Sequence, residues 1–230
     1  MEPIFVIAIT LVSITLLKII FKISTKKVEP LKEDKDLEKL TDKFPENIKI
    51  AEEMLQMLGN KTVKIEQAQS TQTNLYIAVS NKILIADMKN NYARIQTIAH
   101  ECLHSVQDRR LLLFNFIFSN ITILYWLTIT ILTITGIITN IAEPTFILLL
   151  LATIKLAVRG FLEIDAITKA KYLAKEYMES KKLLSKQEIN SILDKYEQIT
   201  KISGPFTIAN ILVGSFVGIL VYSTIALIKI

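Results

Sequence analysis

Cysteine and histidine are scarce in this sequence, which has one cysteine and two histidines among 230 residues. A single cysteine cannot form an intrachain disulfide, so a small secreted fold held by disulfides is excluded. A glycine-rich phosphate loop, a serine-centred nucleophile elbow and an internal repeat are also missing. The net charge is +5, but no aromatic-interleaved basic patch accompanies it. We therefore predict no binding to nucleic acid.

Charged residues are absent from long parts of the chain, although they make up 21% of it. Apolar residues amount to 51%, so the two classes are segregated into blocks. Three of the apolar stretches have the length of about 20 residues that crosses a bilayer, and the third in order reaches it if it begins at Ile141 or continues as helix past Arg159. The sequence predicts an α-rich integral membrane protein with about four transmembrane helices, at Ile4–Ile23, Leu111–Thr135, Phe146–Val158 and Phe206–Ile228.

The basic residues predict the orientation of these helices. Eight lysines lie between Lys18 and Lys43, whereas residues 111–154 contain no lysine or arginine. By the positive-inside rule, the amino terminus lies on the outer side of the cell membrane. The first stretch reads as an uncleaved anchor, because no basic residue precedes it and no cleavage site follows it. The predicted organisation is an anchor at 1–23, a cytoplasmic segment at 24–110, a transmembrane hairpin at 111–158, cytoplasmic helices at 159–204 and a last transmembrane helix at 205–230.

Both histidines belong to the run His100-Glu101-Cys102-Leu103-His104. Residues four apart lie one above the other on a helix, so the two imidazoles can bind one metal ion while Glu101 reaches a water beside it. The segment from Asn91 to Arg110 has no glycine or proline, and its apolar residues recur with helical spacing at Ile95, Ile98, Ala99, Cys102 and Val106. The motif therefore lies on the polar stripe of a predicted amphipathic helix.

Two histidines leave a catalytic zinc one ligand short, because such sites normally have three protein ligands and an exchangeable water. The hairpin returns the chain to the cytoplasmic side, and Glu163 is the first acidic residue after it. His104 lies about 10 Å before the second span if helix continues into that span. We predict that Zn²⁺ is bound by His100, His104 and Glu163. Asp108 and Asp165 are alternatives for the third position.

Between the anchor and the histidine helix, the pattern predicts a small α+β unit. The segment from Val28 to Lys43 is dominated by charge and reads as a linker or an exposed helix. An amphipathic helix is predicted from Pro45 to Leu58, ending at Gly59. Alternating apolar residues predict a three-stranded sheet from the segments 61–69, 75–79 and 82–86, with a tight turn at Ser80-Asn81.

After Glu163 the helical pattern continues to about Ser180. A second helix is predicted to begin at Ser185, which forms a capping box with Glu188. One apolar face then extends to Gly204-Pro205, where we expect this helix to end.

With these features in this order, the chain resembles the YugP-like membrane zinc metallopeptidases of bacteria. The resemblance covers nearly the whole chain in layout, and its specific residues are His100, Glu101, His104 and the run Glu163-Ile164-Asp165-Ala166. It implies a gluzincin-like site in a zincin-like cytoplasmic metalloprotease domain, with a strand that binds an extended substrate by edge addition. The chain is more distantly similar to HtpX-type membrane proteases, whose second motif has an aspartate where Ile167 stands here.

The function predicted from the sequence is a zinc metallopeptidase of the cell membrane. It would hydrolyse peptide bonds of membrane-proximal or unfolded protein substrates on the cytoplasmic side. Glu101 would take the proton of the attacking water and pass it to the leaving amine. Candidates for stabilising the oxyanion are Arg159, Tyr172 and Tyr177. The alternative is a non-catalytic zinc-binding membrane scaffold or sensor that keeps the protease fold. The expected partners are a peptide or protein substrate and the lipid bilayer.

Overall fold

A computed structural model describes residues 2–21, 33–68, 74–87 and 91–229. Most of these residues are helical, and one small sheet accompanies the helices. The helices are α1 (Glu2–Ile20), α2 (Lys35–Thr41), α3 (Asn47–Met57), α4 (Arg94–His104), α5 (Arg109–Ile134), α6 (Ala142–Lys181) and α7 (Lys186–Lys229). The strands are β1 (Lys64–Gln67), β2 (Leu75–Ile77) and β3 (Lys82–Ile85).

The chain divides into two compact units. The helical unit comprises Met1–Ile23, Phe114–Phe161 and Pro205–Ile230. The sheet unit comprises Ser24–Leu113 and Leu162–Gly204, and it contains both histidines together with Glu163.

Four helices, α1, α5, α6 and α7, are long and apolar enough to cross a membrane, as predicted. The third predicted stretch gains length at both ends, because α6 begins at Ala142 and continues past Arg159 to Lys181. Many large apolar side chains on these helices are exposed, among them Phe5, Leu124 and Phe146. Exposed apolar surface of this extent is expected of helices that face lipid.

The predicted helix end at Gly204-Pro205 is wrong, since α7 continues through Pro205 to Lys229. Proline removes one helical hydrogen bond, but helices that enter a bilayer tolerate it because their other backbone groups must be satisfied internally. Gly204 is buried, and a Cβ added there would lie 3.4 Å from the Cδ1 atom of Ile164. This glycine therefore permits close packing of α7 against α6 and does not terminate the helix.

The histidine helix α4 ends at His104 and does not continue into the second span. Ser105 accounts for the break, because its hydroxyl donates to the Cys102 carbonyl at 2.6 Å, and Asn60 Nδ2 donates to the Ser105 carbonyl at 3.0 Å. Side chains thus satisfy carbonyls that another helical turn would have used. The distance of about 10 Å between His104 and the second span, which assumed a continuous helix, therefore does not apply. Val106, which was predicted to lie on the buried face of this helix, is exposed.

The predicted three-stranded sheet is present in the order β1-β3-β2. Strand β3 pairs in parallel with β1 and antiparallel with β2, so β2 is an edge strand. Asn81, in the turn between β2 and β3, has a φ of 49°, a left-handed conformation that asparagine adopts more readily than most residues. Ile83 and Ile85 of β3 are buried in a core shared with α3 and α4. The sheet therefore supports the helix that carries the histidines.

Three smaller predictions concern the helices around this core. The amphipathic helix α3 is followed by Gly59 with a φ of 69°, as the predicted stop requires. Ser185 N donates to Glu188 Oε2 at 2.7 Å and Glu188 N donates to Ser185 Oγ at 3.3 Å, which confirms the capping box. Within the charged segment, α2 is a helix with Leu37 buried in the core, and residues 28–32 lie outside the described residues.

Candidate metal centre

Three potential metal ligands come together in the sheet unit. His100 and His104 lie on α4, and their Nε2 atoms are 3.1 Å apart. Glu163, on α6, places its Oε2 atom 3.6 Å from His100 Nε2 and 3.7 Å from His104 Nε2. These residues form the one group of this kind in the described part of the chain that could hold a metal ion. The structure thus unites the three ligands predicted from the sequence.

The spacing of these atoms fits a single small ion. Bonds of about 2.0–2.2 Å in tetrahedral geometry separate neighbouring ligand atoms by about 3.3–3.6 Å. The observed separations of 3.1, 3.6 and 3.7 Å lie close to this range. Shifts of a few tenths of an ångström would therefore complete the coordination, and three protein ligands leave a position for water. Two imidazoles and a carboxylate are also one of the donor sets of catalytic zinc sites.

Helix α4 presents the histidines because its other face is committed to the core. Its fully buried residues are Ile95, Ile98, Ala99 and Cys102. Burial raises the pKa of the Cys102 thiol, and its sulfur lies 3.8 Å from the Ala51 carbonyl. Cys102 is therefore a packing residue and not a ligand.

The charge of Glu163 is set by the two imidazoles. Burial alone would raise the pKa of Glu163, but its hydrogen bonds to His100 and His104 hold that pKa well below its ordinary value. A carboxylate that stays ionised is what a metal ligand requires. The arrangement therefore provides a negative charge at the point where a cation would bind.

Glu101 lies beside this group and outside it. Its Oε1 atom is 4.0 Å from His100 Nε2, and its Oε2 atom accepts a hydrogen bond of 2.7 Å from the backbone N–H of Tyr76. Burial raises the pKa of Glu101, and the neighbouring histidines offset only part of this effect. A general base works best when its pKa is near the working pH. Tyr76 belongs to the edge strand β2, so this hydrogen bond places the edge of the sheet next to the candidate metal centre.

Gln107 is a residue of this centre that the sequence reasoning missed. Its Nε2 atom donates to the Leu162 carbonyl at 2.8 Å and to Asp165 Oδ2 at 3.1 Å, which leaves Oε1 as an acceptor 2.8 Å from His104 Nδ1. This assignment places a proton on Nδ1, and the lone pair of Nε2 is then free for a metal. Gln107 follows the end of α4, so helical periodicity gave no signal for it.

The two alternative third ligands have other roles. Asp165 accepts from Gln107 and pairs with Lys169 at 2.5 Å. Asp108 caps the first turn of α5, where its Oδ1 atom accepts from the N–H of Arg110 at 2.7 Å. Asp165 thus orients a histidine through Gln107, and Asp108 caps the start of α5.

Replacing Gln107 by alanine should lower zinc affinity by about 10–100-fold, the usual cost of losing a group that orients a metal-bound histidine. Competitive titration against a chromogenic zinc chelator measures this change. Gln56→Ala, at an exposed position of α3, is the matched control and should bind zinc like the wild type. An affinity within threefold of wild type for Gln107→Ala would show that Gln107 does not support His104.

Of the three oxyanion candidates, Tyr177 has another hydrogen-bond partner in the structure. The Tyr177 hydroxyl is buried and donates to Glu53 Oε2 at 2.8 Å, so Tyr177 is not available for this role. Tyr172 is 65% exposed, and Arg159 belongs to the helical unit.

The described residues therefore form a group that could hold one cation, with a further carboxylate next to it. His100, His104 and Glu163 supply the donors, and Gln107 fixes one imidazole. Glu101 supplies a proton acceptor with a raised pKa. Comparison of the chain with protein-family models, with curated proteins and with solved structures finds no match.

Proposed function

We propose that this protein is a membrane-embedded, zinc-dependent metallopeptidase. The observation that carries the proposal is the position of Glu101, which lies next to the group of His100, His104 and Glu163 without belonging to it. A structural zinc site normally has four protein ligands and needs no free base. Three ligands with an adjacent carboxylate are the arrangement expected of a hydrolytic site.

Each residue of the candidate site has a separate role in the proposed hydrolysis. His100, His104 and Glu163 would hold the ion, while Gln107 keeps His104 in the required tautomer. Zinc in such a site lowers the pKa of water toward neutrality and polarises a carbonyl oxygen. Glu101 takes the proton of the attacking water and returns it to the amine as the peptide bond breaks. Its raised pKa suits a group that must accept and then release a proton.

The edge strand β2 supports a peptide as the substrate. An extended segment can add to an edge strand through backbone hydrogen bonds, and β2 lies beside the candidate site, where the N–H of Tyr76 donates to Glu101. Recognition of this kind reads the backbone more than the side chains. We infer a zincin-like role for the sheet unit and broad selectivity among unfolded chains.

The location of the reaction follows from the charge distribution. Lysine and arginine are concentrated in the segments 24–110 and 159–204, which contain the whole candidate site. The positive-inside rule assigns both segments to the cytoplasmic side of the cell membrane. Membrane-proximal and unfolded protein chains on that side are the proposed substrates.

The proposal is tested on the full chain purified in detergent. We expect about one zinc per chain and cleavage of an unstructured protein. A zinc chelator should abolish this cleavage. Added zinc should restore it, whereas magnesium and calcium should not, because they prefer oxygen ligands. Glu163→Ala, prepared in parallel, reports any contaminating protease.

Equal cleavage by the wild type and a Glu163→Ala variant that has lost its zinc would overturn the proposal. One zinc per chain in the wild type with no cleavage would instead indicate the alternative, a non-catalytic zinc-binding scaffold or sensor. A Glu163→Ala variant that keeps full zinc affinity would return the third-ligand role to Asp108 or Asp165.

A further inference from the structure

A cavity of about 380 Å³ lies among the helices of the helical unit. Its walls come from α5, α6 and α7, and most of the lining side chains are apolar. Gly214 and Gly218 of α7 help to create the space, and a Cβ added at Gly214 would meet no atom within 4 Å. The volume is within the range of about 300–1,000 Å³ that small-molecule sites occupy.

Lys155 is the one charged residue that lines this cavity. A charged side chain inside a membrane span is costly, and such residues commonly mark a functional site. Within the described residues, no carboxylate lies within 4 Å of Lys155. The segments of the helical unit contain only two acidic residues, Glu2 and Glu143. Along α6, the carboxylates of Glu143 and Glu163 are about 18 and 12 Å from Lys155 at 1.5 Å per residue. The cavity therefore has a positive charge without an internal counter-ion.

The other polar groups of the lining donate to backbone carbonyls, two of them within their own helix and one across to a neighbouring helix. Thr122 Oγ1 donates to the Phe118 carbonyl at 2.9 Å, and Ser215 Oγ donates to the Ile211 carbonyl at 3.1 Å. The indole N–H of Trp126 donates to the Gly218 carbonyl at 2.8 Å. A ligand would consequently meet an apolar wall and a single ammonium group.

The depth of Lys155 suits a head group at the membrane surface. Lys155 lies 13 residues after the start of α6, or about 20 Å along it, which leaves about 10 Å to the far boundary of a hydrocarbon core of about 30 Å. A lysine stem can extend along apolar surface and bring its ammonium toward that boundary.

The volume of the cavity distinguishes a transmembrane helix from a hydrocarbon chain as its apolar ligand. A helix of about 10 Å diameter fills about 120 Å³ for each residue of rise, so this cavity would hold only about three residues of a transmembrane helix. A hydrocarbon chain is much narrower and can enter such a space.

We propose that this cavity binds an acyl chain of an anionic phospholipid, whose phosphate is held by Lys155. The charge selects the head group, and the apolar wall formed around Trp126 and Gly214 accepts the chain. The source of the ligand is the bilayer that surrounds the four apolar helices. This site is separate in its chemistry from the metal centre and needs no metal.

The chain itself supplies the reporter for a test, since Trp126 is its one tryptophan. The full chain is placed in phosphatidylcholine vesicles that contain brominated phosphatidylglycerol or, for comparison, brominated phosphatidylcholine. Bromine in a bound chain would quench Trp126 fluorescence. We expect the anionic lipid to bind about fivefold more tightly, as expected for one lysine near a membrane surface. Lys155→Gln should abolish the preference, and Lys18→Gln, in α1 and outside the cavity lining, should retain it.

Gly214→Leu, which fills the cavity, should reduce quenching by both brominated lipids to the level of lipid in bulk contact. Equal quenching by both lipids in the wild type, or a preference retained in Lys155→Gln, would overturn the proposal. Stronger quenching by a brominated fatty acid than by brominated phosphatidylglycerol would overturn the phospholipid assignment. Because the readout is fluorescence, these outcomes are independent of any peptidase activity.

Discussion

Glutamine in place of Glu101 is expected to slow peptide hydrolysis by about 10²–10⁴-fold, the usual contribution of a general base. The amide has nearly the shape of the carboxylate but cannot take a proton from water. Its oxygen can still accept the hydrogen bond that Tyr76 N donates to Glu101 Oε2 at 2.7 Å, so the local structure should persist. Initial rates on an unstructured protein, together with metal analysis of the same samples, measure the effect.

The metal content of Glu101→Gln separates two roles for this carboxylate. Because Glu101 is outside the ligand group, the variant should retain about one zinc per chain. Glu52→Gln, at an exposed position of α3, is the control for removing a charge from the sheet unit and should keep the wild-type rate. Wild-type activity in Glu101→Gln would remove the proton-transfer role, and loss of zinc would make Glu101 a ligand.

Replacement of Arg94 by methionine is expected to destabilise the sheet unit by about 3–5 kcal/mol. Arg94 is 3% exposed, and its guanidinium donates to four oxygens between the last residue of α2 and the first residue of α3. They are the carbonyls of Thr41 (2.6 Å), Phe44 (3.0 Å) and Pro45 (2.8 Å) and the side-chain oxygen of Asn47 (2.8 Å). Methionine fills much of the volume but removes the four donated hydrogen bonds, and each buried acceptor that is left unsatisfied costs about 1–3 kcal/mol.

Thermal unfolding of the purified protein measures this loss, and the midpoint should fall by about 6–20 °C for a chain of this size. Arg94→Lys should give an intermediate value, because lysine keeps the charge but not the planar fork that reaches several oxygens at once. Arg110→Met, at an exposed arginine, is the matched control and should leave the midpoint nearly unchanged. A midpoint for Arg94→Met equal to that of the control would show that the four contacts contribute no net stability.

Local pattern was enough to predict the parts of the fold that depend on local interactions. Uninterrupted apolar stretches mark the four long helices, and the i, i+4 spacing marks the pair His100 and His104. Glu163 was accessible by a topological argument, because a hairpin must return the chain to the side on which it started. The pairing of β2 with β3 followed from alternation around a tight turn.

What the sequence did not reveal depends on contacts between distant segments. The break after His104 involves Asn60, and the role of Gln107 depends on Leu162 and Asp165, which lie 55 and 58 residues away. Pro205 was misread as a helix end because the rule for soluble helices was applied where a bilayer favours continued helix. No periodicity within one segment could have indicated any of these features.

The placement of the ligands on either side of the membrane hairpin has a consequence for biogenesis. During synthesis, the chain exposes His100 and His104 first, and Glu163 follows only after α5 and the apolar part of α6 have been made. Two imidazoles alone leave the centre without its anionic ligand. A nascent or incompletely inserted chain would therefore lack a finished site. Under the proposed function, hydrolysis would begin only once α5 and α6 are in place.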